Sequence, residues 1–140
     1  MLVRDVMTKD VICVRQDDTV SEAARLMALH NLGALAVCTR DGRLRGMVTD
    51  RDIVLRCVAQ DGDPAQMKVR KVMTRGPVSV SPEDSLKDAA ARMAGQQVRR
   101  LPVEQDGRIA GMVSLADITR KPELRMEAAG TLSDICGPAK

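Results

Sequence analysis

The chain has 140 residues, enough for one domain or for two half-size repeats that share a core, and its 44% hydrophobic and 29% charged residues suit a folded globular chain. It contains no Phe, Tyr or Trp, which argues against the base stacking that single-strand binding and most RNA recognition use. The formal net charge of +3 is interleaved, with local clusters at Lys68, Arg70, Lys71 and Arg75 and at Arg99-Arg100, so no stripe for duplex DNA is drawn.

Taken in order, Met1 to Asp5 carries no apolar signal segment, and no apolar run approaches the length that spans a bilayer; a cytoplasmic location without membrane contact is expected. Val6-Met7-Thr8 leads into a β-type run, Val11 to Val14. Thr19 with Glu22 reads as a capping box. The helix it opens places Val20, Ala23, Ala24, Met27 and Ala28 at threes and fours. Two further β-type runs, 34–39 and 43–48, join through Asp41-Gly42, a strong hairpin signal. A second helix starts at Thr49, and Asp61-Gly62-Asp63-Pro64 is rich in turn formers.

The same order then recurs. Val6-Met7-Thr8 returns as Val72-Met73-Thr74, an offset of 73 − 7 = 66, and Val14, Thr19, Glu22, Met27 and Val37 match Val80, Ser85, Asp88, Met93 and Val103. After one deletion Asp41-Gly42 matches Asp106-Gly107, and Gly46-Met47-Val48-Thr49 matches Gly111-Met112-Val113-Ser114. The β-type run Val78-Ser79-Val80 and the runs 100–104 and 108–113 complete the second copy. The predicted fold is a mixed α/β (α+β) body of two β-α-β-β-α repeats, with a first repeat over 1–60, a linker over 61–66, a second repeat over 67–121 and a tail over 122–140.

Chemistry concentrates where a strand runs into the last helix of each copy. Ser114 stands at the N-cap with Asp117 three residues on, and Arg99 and Arg100 precede the hairpin. A helix start gathers unpaired N–H groups that attract anions, while a carboxylate there repels phosphate and accepts bonds from neutral hydroxyls. A nucleotide meets both demands, with its ribose on Asp117 and its phosphate on the planar forks of Arg99 and Arg100. The alternative is a plain capping box. The first copy has Thr49 and Asp52 but Gly33-Ala34 in place of the two arginines, and Asp50 adds negative charge. That site is expected to be the weaker of the two.

Catalysis finds little support, because His30 is the single histidine and Asp50 and Asp52 do not share a helix face. Cys13, Cys38, Cys57 and Cys136 show no metal-ligand spacing, so no metal is expected. Cys13 and Cys38 fall at equivalent depths on two strands of one repeat, which leaves a redox role open as an alternative. Binding of polynucleotide is a further alternative.

The Met-Thr lead-ins, Arg-Arg-Leu-Pro-Val before the second hairpin, and Gly-hydrophobic-Val-Thr/Ser-x-x-Asp-Ile at the hairpin exits closely resemble the CBS (cystathionine β-synthase) domain family, over about residues 3 to 120. The resemblance, to stand-alone bacterial CBS pairs, implies two repeats packed with pseudo-twofold symmetry and a cleft for an adenosine-containing ligand. The ligand that the resemblance implies is AMP, ADP, ATP or S-adenosylmethionine, bound for regulation and not as a required cofactor. It implies that Thr8 and Ile12 face Asp117, beside Arg99, Arg100, Leu101, Pro102 and Ser114. It likewise implies that Thr74 and Val78 face Asp52, beside Ala34 and Thr49. It further implies a homodimer, for which Leu26, Met27, Leu29, Ile53, Val54, Leu115 and Ile118 are the candidate apolar residues, and an effector protein that reads the bound state.

Overall fold

In the computed structural model, which describes residues 1–138, the first helix of each repeat opens on a hydroxyl cap and ends in the same way. Helix α1 (Val20–His30) opens on a complete capping box, with Thr19 Oγ1 accepting from the Glu22 N–H at 3.1 Å and a Glu22 carboxylate oxygen accepting from the Thr19 N–H at 3.4 Å. Helix α3 (Leu86–Gln96) has half of that box: Ser85 Oγ accepts from the Asp88 N–H at 3.0 Å, and the next N–H, that of Leu86, goes to the Met1 carbonyl at 3.2 Å. Both helices stop on a left-handed residue, Asn31 and Gln97, each with φ 54°.

The first sheet runs in the order β1 (Cys13–Val14), β2 (Ala34–Cys38), β3 (Leu44–Thr49), β4 (Thr74–Arg75). Strand β1 is parallel to β2, with Cys13 opposite Ala36, and β2, β3 and β4 are antiparallel neighbours. The second sheet has β5 (Arg100–Gln105) beside β6 (Arg108–Ser114). The run Val78 to Val80, predicted as a strand, makes only a single parallel bridge, Val80 to Val103. Pro77 and Pro82 flank it closely, and neither can donate to a ladder. The hairpins differ as well. Asp106 and Gly107 both take positive φ, 55° and 79°, as a type I′ turn requires, whereas in the first hairpin Gly42 alone does, at 85°.

The lead-in segments exchange partners. The chain divides into one compact unit of Met1–Val11, Val78–Asp106 and the residues from Ala110 onward, and another of Ile12–Pro77 with Gly107–Ile109. In the first unit Thr8 pairs with Met112 of β6, its N–H donating to the Met112 carbonyl at 2.8 Å and its carbonyl accepting from the Met112 N–H at 2.9 Å. In the second, Thr74 pairs with Met47 of β3. Glycine permits both approaches: a Cβ on Gly111 would stand 2.8 Å from the Thr8 carbonyl and from Met7 Sδ, and one on Gly46 would run into the Thr74 carbonyl. The Met-Thr and Gly motifs are therefore two sides of one contact.

Each unit has its own aliphatic core. Leu86, Met93, Leu101, Val113 and Ile118 centre one, and Val20, Leu35, Val37, Val48 and Val72 the other. Residues 122–136, where the repeat pattern stops, continue the fold: a 3-10 turn at Pro122–Leu124 buries Leu124 and leads into α5 (Arg125–Cys136), which buries Ala128, both in the core that holds α3. Of the residues proposed for a dimer face, Met27, Leu115 and Ile118 are buried and Leu26 and Ile53 pack on a core, because they occupy the inward stripe of their helices; only Leu29 and Val54 are exposed. No helix among the described residues is long and apolar enough to cross a membrane.

Candidate functional site

Helix α4 (Leu115–Thr119) starts directly at the end of β6, and its cap is a complete box: Asp117 Oδ2 accepts from the Ser114 N–H at 2.9 Å and Ser114 Oγ accepts from the Asp117 N–H at 3.2 Å. The Leu115 N–H donates to the Arg99 carbonyl at 2.7 Å, which ties the arginine pair to the head of this helix. Asp117 is 7% exposed, an unusual burial for a carboxylate, and Arg120 Nη1 donates to its Oδ1 at 3.0 Å. The Arg120 side chain is 75% exposed, so this partner can leave without disturbing a core.

Arg99 is exposed and Arg100 partly buried, and neither makes a side-chain ion pair among the described residues. Leu101 and Pro102 are both buried. Leu101 belongs to the core, and the Pro102 carbonyl accepts from the Val80 N–H at 3.1 Å. The unit that holds Asp117 thus gathers Thr8, two residues before Ser114 in β-sheet register, with Ser114, Asp117, Arg99 and Arg100. Ile12 packs instead against the core of the other unit.

The junction of the first repeat has the same backbone. Helix α2 (Asp50–Arg56) opens on Thr49, whose N–H donates to Asp52 Oδ2 at 3.0 Å while its Oγ1 accepts from the Asp52 N–H at 3.0 Å. The Asp50 N–H donates to the Gly33 carbonyl at 3.0 Å, the counterpart of the Leu115 and Arg99 bond. Ala34 lies opposite Thr49, and Thr74 is exposed on β4. Val78 belongs to the other unit.

The charges differ. Where the second repeat has Arg99, a Cβ on Gly33 would stand 3.4 Å from Asp50 Oδ2, so a carboxylate lies beside the point at which a side chain would leave the backbone. Arg56 Nε is 3.9 Å from Asp52 Oδ1, and its Nη1 donates to the Val72 and Met73 carbonyls at 3.0 and 3.2 Å, which holds it as a structural tie. Sequence reasoning missed Arg120; its i,i+3 spacing from Asp117 on one helix is the signal that finds it. No group of three or more His, Cys, Asp and Glu side chains is set to hold a metal among the described residues.

Two units, each presenting a capped carboxylate at a strand-to-helix junction beside a crossed lead-in strand, define a tandem-repeat regulatory module. The chain belongs to the CBS domain family, whose model matches residues 3–58 and 69–123. CBS domain-containing protein YhcV of Bacillus subtilis (strain 168) is 42% identical over 133 residues, 95% of this chain and 94% of the relative. Hypoxic response protein 1 of Mycobacterium tuberculosis is 38% identical over 117 residues, 84% of this chain and 82% of the relative. A crystal structure of Hypoxic Response Protein I with two coordinated zinc ions matches with a TM-score of 0.80 at 38% identity, covering 86% of this chain and 98% of that one. The CBS domain pair of protein MJ0100, crystallised in complex with 5′-methylthioadenosine and S-adenosyl-L-methionine, matches with a TM-score of 0.77 at 27% identity over 86% of this chain and 98% of its own.

Proposed function

We propose that this CBS pair is a sensor of an adenosine-containing nucleotide, bound in the unit that carries Asp117. The observation that carries the reading is a buried carboxylate, Asp117, at one junction with Arg99, Arg100 and Arg120. The ribose hydroxyls donate to Asp117 Oδ1, the oxygen that Arg120 now holds, and the released Arg120 joins Arg99 and Arg100 at the phosphate. Aliphatic side chains flank the adenine, since no aromatic ring exists to stack on it. The bound adenosyl ligands of the MJ0100 pair support the ligand class.

The first-repeat junction, with Thr49, Asp52, Ala34 and Thr74, is the poorer site, because Gly33 and Ala34 stand where the other has Arg99 and Arg100, and Asp50 adds negative charge. Occupancy is read by an effector protein. The module acts as a homodimer through the exposed apolar side chains Val54, Leu55 and Val58 on α2 and the turn beyond it. Light scattering is expected to give twice the 15.2 kDa protomer mass; the protomer mass at micromolar concentration contradicts it.

A thermal-shift panel of AMP, ADP, ATP and S-adenosylmethionine tests the ligand class. A binder at 100 times its Kd stabilises the folded state by about 2.7 kcal/mol, read with an extrinsic dye because the chain has no Trp or Tyr. Melting that none of the four moves at millimolar concentration contradicts the proposal.

A further inference from the structure

The unit that carries the poorer junction holds a separate pair of reactive groups. Cys13 on β1 lies opposite Ala36 of β2, and Cys38 is two residues further along β2, hence on the same face of the sheet. The Cys38 thiol donates to Cys13 Sγ at 3.4 Å. Cys38 is buried, 4% exposed, while Cys13 is half-buried and opens on a cavity of about 430 Å³ that both cysteines line with Arg15, Asp18 and Arg40. Arg40 is exposed and forms no ion pair among the described residues. Cys57 is fully buried in the core of the same unit, and Cys136 is exposed on α5.

We propose that Cys13 and Cys38 are a thiol-oxidation site that accepts a small disulfide bearing carboxylates and closes to an intramolecular disulfide. The hydrogen bond from Cys38 lowers the pKa of Cys13 and, for the same reason, raises that of Cys38, which places the nucleophilic thiolate on the sulfur that meets the cavity. The Cys13 thiolate attacks one sulfur of the small disulfide; that S–S bond breaks, a mixed disulfide forms on Cys13, and one small thiolate leaves and takes a proton from water. Capping removes the negative sulfur that held the Cys38 proton. Cys38 then loses its proton to water and attacks the Cys13 sulfur, breaking the mixed bond and releasing the second small thiol. In balance, two protein thiols give up two protons and two electrons to one small disulfide, which becomes two thiols. The two sulfurs need only close from 3.4 Å to the bond length of about 2.05 Å. Arg15 and Arg40 favour a carboxylate-bearing reagent over a cationic one.

Incubation of the parent chain with oxidised glutathione at neutral pH, followed by alkylation and peptide mass measurement, tests the site. Cys13 and Cys38 are expected to be protected together in one linked peptide lighter by two hydrogens, with Cys57 alkylated only after unfolding. Cys38→Ser should instead hold glutathione stably on Cys13. Cystamine, the cationic reagent, should react roughly 2- to 5-fold more slowly than oxidised glutathione at equal concentration, and Arg40→Glu should erase that preference. Full alkylation of Cys13 and Cys38 in the oxidant-treated parent overturns the proposal without recourse to any variant, as does a Cys38→Ser chain that takes up no adduct on Cys13. Equal rates with the two reagents overturn the assignment of an anionic reagent.

Discussion

The two strand-to-helix junctions share a backbone and differ in charge. Ser114 with Asp117 and Thr49 with Asp52 make the same pair of cap bonds, and the first N–H of each helix finds the same carbonyl two residues before the core of its hairpin, Arg99 in one and Gly33 in the other. Around the first stand Arg99, Arg100 and Arg120; beside the second stand Asp50 and an Arg56 held by two carbonyls. The cap therefore fixes where a carboxylate sits, and the residues outside the cap decide which ligand charge it can serve. A repeat can keep its fold while its site diverges, because the two demands fall on different side chains.

The shared part of the comparison is open to stability measurements. Gly46→Ala and Gly111→Ala should each cost about 1–3 kcal/mol in chemical denaturation, with Gly46 at the upper end. The clash of its added methyl falls on the rigid Thr74 carbonyl, with Met73 Sδ in ordinary contact, whereas part of the clash at Gly111 falls on the flexible Met7 side chain. A Gly111→Ala chain less stable than Gly46→Ala breaks that ranking. Next in size, Ser114→Ala and Thr49→Ala should each cost about 1 kcal/mol, the usual worth of an N-cap. Because the bonding is the same, the two costs should agree within about 0.5 kcal/mol. A wider gap in denaturation midpoints would show that the junctions are not energetically equivalent.

The smallest effect is expected at the residue that distinguishes the junctions. Arg120→Ala should change stability by about 0.2–1 kcal/mol and by less at high salt, since three quarters of that side chain is in water. A larger, salt-independent loss would mean that Arg120 is a fixed structural tie like Arg56, unable to move to a phosphate.

The repeat, both hairpins and the capping boxes of α1 and α4 are legible in the sequence, because turn residues and cap residues act over three or four positions; Ser85 with Asp88 reads as a box too, but only its Ser85 half forms at α3. What escapes is what depends on partners distant in the chain. Val78 to Val80 has strand-like composition, but the adjacent prolines limit it to one bridge. Helix α5 buries only Ala128 and Thr131, small residues that draw no apolar stripe. Met27, Leu115 and Ile118 are apolar at helical spacing, and spacing alone does not say whether the stripe faces the chain's own core or a second copy. At the junction, Ser114 with Asp117 and the Arg99-Arg100 pair are legible as a cap and a charge pattern, whereas the place of Leu101 in the core and the bond from the Val80 N–H to the Pro102 carbonyl depend on distant partners. Ile12 packs on the core of the other unit, a contact that also depends on distant partners.

Titration calorimetry of AMP against the parent chain and three variants tests the central claim most directly. Arg100→Ala and Asp117→Ala should each weaken binding roughly 10- to 100-fold, the loss of one charge-assisted bond, while Asp52→Ala should leave the tight event within about twofold of the parent. Abolition by Asp52→Ala, with Arg100→Ala and Asp117→Ala binding like the parent, would contradict the account and move the dominant site to the first repeat.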